Sequence, residues 1–325
     1  MQEYDVLIIG AGPAGLWATV YGILNKLHIC LIESTNELGG QPLTIYGQKY
    51  VNDIPGFIEI RAGDYGQSLV DQCLHYQNDF TLYKSTILTS IKSTDDNCYE
   101  CILSNNLAIK TKFIIFAIGI GPYTPRTIEV KAQGNVPVYY IVRDLSQLAN
   151  KKILVLGGGD SAVDWANLLV AHNITKDVKL IHHSNVFKAL PKNLEKLAEN
   201  KIEQYLDCDI VQVEPNNLTI NNHNTNTTYH LPYDAIICMY GIAPNPVQLP
   251  AFDENIELQV NKFKVNMNFE TNVNRIYAIG QACIYPNRPN LIVVAQAEAS
   301  IAIKTIANEL RKLKLVKATA KNTKE

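Results

Sequence analysis

The sequence predicts an α/β fold of two domains, each built around a parallel sheet. Two observations carry that expectation. Glycine-rich turns of one design, Gly10-Ala11-Gly12-Pro13-Ala14-Gly15 and Gly157-Gly158-Gly159-Asp160-Ser161-Ala162, stand nearly half a chain apart. Each follows a short aliphatic run and opens a stretch that is apolar at helical spacing, the strand–turn–helix order of a dinucleotide site. The class that fits is two Rossmann-like domains in three ββα layers, the first of them discontinuous.

The first unit starts with Tyr4-Asp5-Val6-Leu7-Ile8-Ile9, a strand rich in β-branched residues, and the turn leads into a helix from Pro13 to Leu24. Glycine permits the turn and lets backbone N–H groups at the helix N-terminus approach a diphosphate that side chains would hold away. His28-Ile29-Cys30-Leu31-Ile32 forms the next strand, and Glu33 ends it eighteen positions beyond Gly15. A carboxylate there accepts hydrogen bonds from ribose hydroxyls. Gly10, Gly12, Pro13, Ala14, Gly15 and Glu33 are therefore expected to hold the first dinucleotide. An irregular stretch follows, with Gly39-Gly40-Gln41-Pro42 and Ile54-Pro55-Gly56, then a helix from about Asp64 to Asn78. Short strands are expected over Thr86–Ser93, Tyr99–Leu103 and Ala108–Ala117, parted by Asp95-Asp96-Asn97 and Ser104-Asn105-Asn106.

Gly119-Ile120-Gly121-Pro122 closes that series, and the second unit repeats the plan. Lys152-Ile153-Leu154-Val155-Leu156 leads into Gly157, Gly158, Gly159, Asp160, Ser161 and Ala162, and a helix continues to Val170. The next strand, Val178-Lys179-Leu180-Ile181, ends in His182-His183-Ser184 with no acid at the ribose position. Turn-broken strands are expected around Ile210–Val213, Leu218–Asn221 and Tyr229–Cys238. The chain then reaches Arg275-Ile276-Tyr277-Ala278-Ile279-Gly280 and a last helix over about Ala297–Leu313, which returns to the first domain. The expected domains are 1–118 with 243–325, and 119–242.

Composition sets looser bounds. With 325 residues, 47% of them hydrophobic and 18% charged, the chain suits two cores of ordinary size. No apolar run approaches a membrane span and the chain opens directly on a strand, so the expectation is a cytoplasmic protein without a membrane partner. A formal net charge of −2 offers no field to gather nucleic acid. Arg311, Lys312, Lys314, Lys317 and Lys321 form a basic tail that reads either as a solvated helix end or as a face for an acidic partner. The seven cysteines lack paired spacing across the chain, as in a reduced compartment. Cys98 and Cys101 have redox spacing but fall at a strand, where positions three apart face opposite sides, so neither a disulfide nor a metal site is expected.

These motifs resemble the two-dinucleotide-binding flavoprotein reductases, and among them the thioredoxin-reductase-like ferredoxin–NADP⁺ reductases. The matching pieces are Gly10 to Gly15, Glu33, Leu38-Gly39-Gly40-Gln41, Ile45-Tyr46, Asp53 with Gly56-Phe57, Val138-Tyr139-Tyr140 with Val142 and Asp144, Gly157 to Ala166, Gly241 with Pro244-Asn245, and Ile276 to Gly280. The resemblance implies FAD with its diphosphate over Gly12 to Ala14 and its ribose on Glu33. Its isoalloxazine ring would lie near Gln41, Tyr46 and the N-terminus of the last helix around Ala299 to Ile301, with Ala299 and Ile301 as contacts. Gly40, Tyr123, Gly280 and Gln281 join the implied cofactor set, as does Asp53, which is either a near-flavin carboxylate or a turn residue before Ile54-Pro55. NAD(P)H would lie over Gly157 to Ala162 with His183 and Lys188 beside it, and pass hydride to the flavin. Electrons would then leave for ferredoxin or flavodoxin, from an enzyme that is usually homodimeric. No general base, nucleophile or metal is implied.

The branch follows from an absence, and at three places the sequence departs from the family pattern. Thioredoxin reductases carry a redox disulfide shortly before the second turn, where this chain reads Val138-Tyr139-Tyr140-Ile141-Val142-Arg143-Asp144. Family members that use NADPH have His-Arg-Arg where this chain has His182-His183-Ser184. Two charge-assisted contacts to a 2′-phosphate amount to roughly 3 to 6 kcal/mol. Lys188 restores part of that, and no acid repels a phosphate, so NADPH is expected and NADH stays open. Gln281 stands where the family usually has an aspartate on the ribityl chain, and Val316–Glu325 holds no aromatic residue or histidine to cover the flavin. Two other readings accommodate these losses: a flavin-binding redox sensor or assembly protein with little turnover, and a reductase of a quinone or another small acceptor.

Overall fold

The run from Tyr4 becomes a central strand because both of its faces are covered. In the computed structural model, which describes residues 1–121, 123–128, 137–244 and 249–322, Gln2–Ile9 lies between Ile29–Ile32 and Ala108–Phe116, parallel to both. Phe80–Tyr83 extends the sheet beyond Ile29–Ile32. Parallel strands buried on both faces call for near-continuous apolar sequence, and Val6, Leu7 and Ile8 are fully buried.

The long strand Ala108–Phe116 serves two layers. Along one edge Ala108–Thr111 pair antiparallel with Tyr99–Ile102, while Ile114–Phe116 pair parallel with Ile276–Ala278. The Leu88–Ser93 and Tyr99–Leu103 meander thus branches from the parallel sheet as its own layer. The Pro13–Leu24 helix packs on Ala62–Leu74 and on the final helix, Ile292–Asn322. That last helix buries Ala299, Ala302, Ile303, Ile306, Ala307 and Leu310, one apolar stripe at helical spacing.

These elements form one compact unit, Met1–Thr44, Val51–Pro122 and Asn245–Glu325; the other comprises Ile45–Tyr50 and Tyr123–Pro244. The segment Ile45–Tyr50 packs with the second unit.

In the second unit a parallel sheet runs in the order Val138–Tyr139, Ala235–Cys238, Ile153–Leu156, Val178–Ile181, Glu203–Tyr205. Side chains alternate across it. Ile153, Val155, Leu180 and Ile237 face a core shared with Val163, Trp165 and Leu169 of the Asp160–Ala171 helix. Leu154, Leu156, Ile181 and Ile236 face Val213, Leu218, Ile220 and Leu231 of the antiparallel strands Cys208–Glu214, Asn217–Asn222 and Thr227–Pro232. Helix, parallel sheet and meander are the three layers the sequence predicts.

Three expectations change. The run Tyr229–Cys238, read as one strand, is two: Thr227–Pro232 closes the meander and Ala235–Cys238 joins the parallel sheet. Pro232 offers no N–H, and Asp234 binds Lys152 through its N–H and carboxylate at 2.9 and 2.8 Å, which turns the chain between layers. The Pro191–Glu199 helix and Glu203–Tyr205 strand lie where no element was foreseen. The last helix starts at Ile292 rather than near Ala297, because Ile292, Val293 and Val294 continue its apolar pattern upstream. The side chains of Lys314, Lys317 and Lys321, Asn245 and Thr323–Glu325 lie outside the described residues.

All seven cysteines are free, six buried and Cys98 half-buried. Burial pushes the thiols of Cys30, Cys73, Cys101 and Cys283 up to about 12. The thiolate is the reactive form, so folded protein near neutral pH is expected to titrate only Cys98 with an aromatic disulfide reagent, and the others after denaturation. Rapid reaction of two or more thiols in the folded protein contradicts this packing.

Candidate functional site

The glycine turns lie where parallel strands end together. In the first unit Ile9 pairs in register with Ile32 and Phe116, and Phe116 with Ala278. Gly10, Glu33, Ala117 and Ile279 consequently emerge at one end of the sheet, the carboxyl end at which α/β folds bind ligands.

There the backbone is packed too tightly for side chains. A Cβ on Gly15 would lie 1.8 Å from Gly10 O, and one on Gly40, whose φ is +61°, would lie 2.8 Å from Gly12 Cα. Over Gly12 the space is open, the nearest atom to a built Cβ being Gly40 Cα at 3.9 Å. Gly12 caps the Pro13–Leu24 helix without any side-chain cap bond, leaving its first-turn amides to an anion. Half-buried Glu33 accepts from Ala11 N–H at 2.8 Å through Oε2 and from Thr35 N–H at 2.9 Å through Oε1. The Ser34 and Thr35 hydroxyls also donate to Oε1, at 3.0 and 3.2 Å, so the carboxylate is fixed beside the turn and it is Oε2 that keeps room for a hydroxyl donor.

Gly280 faces the same turn, a Cβ there lying 3.2 Å from Ala14 Cβ. Beside it Gln41 Nε2 donates to Gln281 Oε1 at 3.1 Å. The amide pair keeps one carbonyl and one NH₂ for a ligand's polar edges. Gly10 to Gly15, Glu33, Gly40, Gln41, Gly280 and Gln281 are thus gathered in one place. Open space over Gly12, an uncapped helix start and an amide pair fit an FAD.

Other expected residues lie elsewhere or differ in role. Ala299 is fully buried and Ile301 is 44% exposed, both inside a helix that starts at Ile292, so they do not offer the free amides of a helix N-terminus. Tyr46 is half-buried in the segment that packs with the second unit, and Asp53 is exposed. Tyr123 pairs its backbone with Pro244, and its side chain lies outside the described residues.

Sequence reading missed the buried carboxylate Glu298. Its Oε1 accepts from Arg288 Nε at 2.7 Å and Tyr285 OH at 2.9 Å, and its Oε2 from Gly280 N–H at 2.6 Å and Arg288 NH2 at 3.2 Å. Side-chain exposures of 1% and 5% make Glu298 and Arg288 a buried ion pair. By holding Gly280 N–H, Glu298 sets the backbone that carries Gln281. A lone acid in the apolar first turns of the last helix was the available signal.

In the second unit Leu156 pairs in register with Ile181 and Cys238, so Gly157, His182 and Met239 share one end. Gly159 caps the Asp160–Ala171 helix without a side-chain bond, and a Cβ there would meet nothing within 4 Å. Gly158 is needed for another reason: a Cβ would lie 2.1 Å from His182 Nε2. His182 is buried, which lowers its pKa, and its ring stacks on Phe187. His183 and Lys188 are exposed, and Lys188 N–H donates to Gly158 O at 2.7 Å, docking its backbone on the turn. Asp160 Oδ1 accepts from Leu190 N–H at 2.7 Å. Lys49, a second residue missed from sequence, sends its ammonium to Ser161.

Removing one partner of a buried pair strands the other, at a cost of about 3 to 5 kcal/mol. Glu298→Ala is expected to lower stability by that amount in denaturant unfolding, and Glu298→Leu with Arg288→Met by much less. Equal losses would mean that the pair itself, not the stranded arginine, holds this corner.

The family described as pyridine nucleotide-disulphide oxidoreductase matches residues 4–299. The chain is 36% identical over 317 residues to a ferredoxin--NADP reductase of Ligilactobacillus salivarius, covering 94% of this chain and 92% of that protein. It is 34% identical over 313 residues to a protein of the same name from Malacoplasma penetrans, covering 93% and 96%. Among solved structures, a T. acidophilum thioredoxin reductase superposes with a TM-score of 0.76 at 18% identity, covering 95% of this chain and 99% of that one. A Lactococcus lactis thioredoxin reductase in its FR conformation gives 0.74 at 22%, covering 94% and 98%. The chain belongs to the pyridine nucleotide-disulphide oxidoreductase family, in its thioredoxin-reductase-like ferredoxin–NADP reductase branch, and is an FAD-dependent NAD(P)H oxidoreductase.

Proposed function

We propose that this enzyme moves electrons between NADPH and ferredoxin or flavodoxin through FAD, without a protein disulfide, as a cytoplasmic homodimer. The observation that carries the reading is the pair of uncapped glycine turns, Gly12 and Gly159, one in each unit. We assign FAD to the first unit and the nicotinamide to the second. The names of the relatives support ferredoxin as acceptor. The segment 138–144 holds no sulfur, and Cys208 and Cys238 of the second unit are buried free thiols, which supports direct transfer from the flavin.

When bound, FAD supplies the exchange between a two-electron hydride donor and a one-electron acceptor. The protein binds and positions. Glu33 takes the ribose, the first-turn amides meet the diphosphate, and the Gln41–Gln281 amides meet the ring or ribityl chain. Tyr46, Asp53 and Tyr123 stay on the flavin side in this proposal, whereas Ala299, which is fully buried, and Ile301, well inside the helix, do not enter it. On the other side Gly157 to Ala162 hold the nicotinamide dinucleotide, with His183 and Lys188 toward its adenosine end. The docking of Lys188 on Gly158 supports NADPH, because it carries an exposed ammonium alongside the turn.

Purified protein is expected to carry FAD that bleaches with NADPH, and to reduce cytochrome c only when ferredoxin or flavodoxin is added. Bleaching without any carrier-dependent turnover points to a sensor, and turnover with quinone alone to a small-molecule reductase. Gly12→Val is expected to lose flavin absorbance while keeping its far-ultraviolet circular dichroism. One ammonium–phosphate contact corresponds to a kcat/KM preference for NADPH over NADH of about 10- to 100-fold. Lys188→Ala should erase most of it by raising KM for NADPH alone, whereas a preference for NADH in the wild type would reverse the assignment.

A further inference from the structure

We propose that Lys49 is a nucleotide-positioning residue, whose ammonium commits the Ser161 hydroxyl to donate its proton to the diphosphate of NAD(P)H. This rests on the assignment of NAD(P)H to the second glycine turn.

Lys49 comes from Ile45–Tyr50, the short segment that leaves the first unit's chain to pack with the second unit. It is only 8% exposed. A buried ammonium must be paired and hydrogen-bonded, and every partner of this one lies at the start of the nucleotide-binding helix. Nζ donates to Ser161 Oγ at 2.9 Å and to Ser161 O at 3.3 Å, lies 3.6 Å from Asp164 Oδ2, and sits 5.8 Å from the Trp165 ring centroid. Asp164 is itself held, accepting from Asn193 Nδ2 at 2.7 Å through Oδ1. Burial pulls the Lys49 ammonium below its usual range and pushes the Asp164 carboxyl above its own, and their mutual attraction opposes both shifts.

Hydrogen-bond bookkeeping then fixes the direction of the hydroxyl. An ammonium has donors and no acceptor, so Ser161 Oγ must accept from Lys49. A serine has a single proton, which is thereby free to point away from the lysine. Here it reaches Met239 Sδ at 3.5 Å, a weak acceptor, from the exposed face of the turn. A phosphate oxygen arriving over Gly159 would be a far better acceptor, bound through a charge-assisted O–H···O⁻ contact. The Lys49 charge is largely offset by Asp164, so its effect on the anion runs through the serine hydroxyl, beside the direct pull of the helix N-terminus.

The test titrates the FAD-loaded, full-length protein with two ligands followed by flavin difference absorbance or calorimetry. NADP⁺ has the diphosphate; 2′-AMP has the adenosine and 2′-phosphate without it. Lys49→Met is expected to weaken NADP⁺ by about 10- to 100-fold and to leave 2′-AMP unchanged. Ser161→Ala, at an exposed position that does not endanger folding, should weaken NADP⁺ in the same selective way, and the double variant should lose little more than either single one. Lys49→Arg should recover part of the affinity. Unchanged NADP⁺ affinity in Ser161→Ala and in a folded Lys49→Met overturns the proposal while the site assignment stands. Equal loss of both ligands with a lowered Tm makes Lys49 a structural anchor and also overturns it. A wild-type protein that keeps FAD but binds neither ligand removes the site assignment, and the proposal with it.

Discussion

Both candidate sites depend on one constraint: parallel strands that end in register place several loops at a single sheet end. Ile9, Ile32 and Phe116 align across one sheet, and Leu156, Ile181 and Cys238 across the other. Each set of strands delivers a glycine turn whose helix starts with no side chain over its amides. An anion is therefore met by backbone dipoles, which need no side-chain ordering and cannot lose their charge with pH. The absent Cβ atoms matter more than any side chain present, since at Gly15 and Gly40 a methyl group would overlap the neighbouring turn.

Among the described residues, each unit sets a cation–carboxylate pair beside its turn, buried at both members in the first unit and at the lysine in the second. Arg288 and Glu298 lie beneath Gly280, and Lys49 and Asp164 lie beneath Ser161. Desolvating such pairs is expensive, and an apolar core of equal volume would be at least as stable. Their value lies in the donors and acceptors they fix. Glu298 takes the N–H of Gly280 and so orients the peptide that carries Gln281, while Lys49 takes the lone pair of a serine at the helix start. Buried charge thus serves to set hydrogen-bond direction where a polar ligand is to be read.

Much of this was legible in sequence because the signals are local. The glycine spacing, the apolar runs and Glu33 all lie within one strand–turn–helix unit, and periodicity alone separates inward from outward residues there. Lys49 was not legible: it stands among Ile45, Tyr46 and Tyr50 in an irregular stretch, and its partners Ser161 and Asp164 are more than a hundred residues away. Glu298 lay hidden likewise, since its donors come from Gly280, Cys283, Tyr285 and Arg288 across a loop. The switch of layers at Pro232–Asp234 was masked because residues on both sides of it have equal β-propensity. The start of the last helix was misplaced because Ile292, Val293 and Val294 are β-branched, and it is their packing that makes them helical.

The same distinction bears on nucleotide choice. A pair of arginines grips a phosphate with planar forks that match it bidentately, whereas a lysine ammonium is a point charge on a flexible stem. Here the stem is short of freedom at its base: the backbone of Lys188 is bonded to Gly158, and the Gly158 position exists to admit the His182 ring beneath it. The imidazole and the lysine are thus coupled through one peptide. The His182 ring fills the space a Gly158 side chain would need, and the Lys188 N–H is bonded to the carbonyl of the same glycine. In such an arrangement the exposed charge would supply the attraction, and the hydrogen-bonded backbone at its base would limit where that charge can reach.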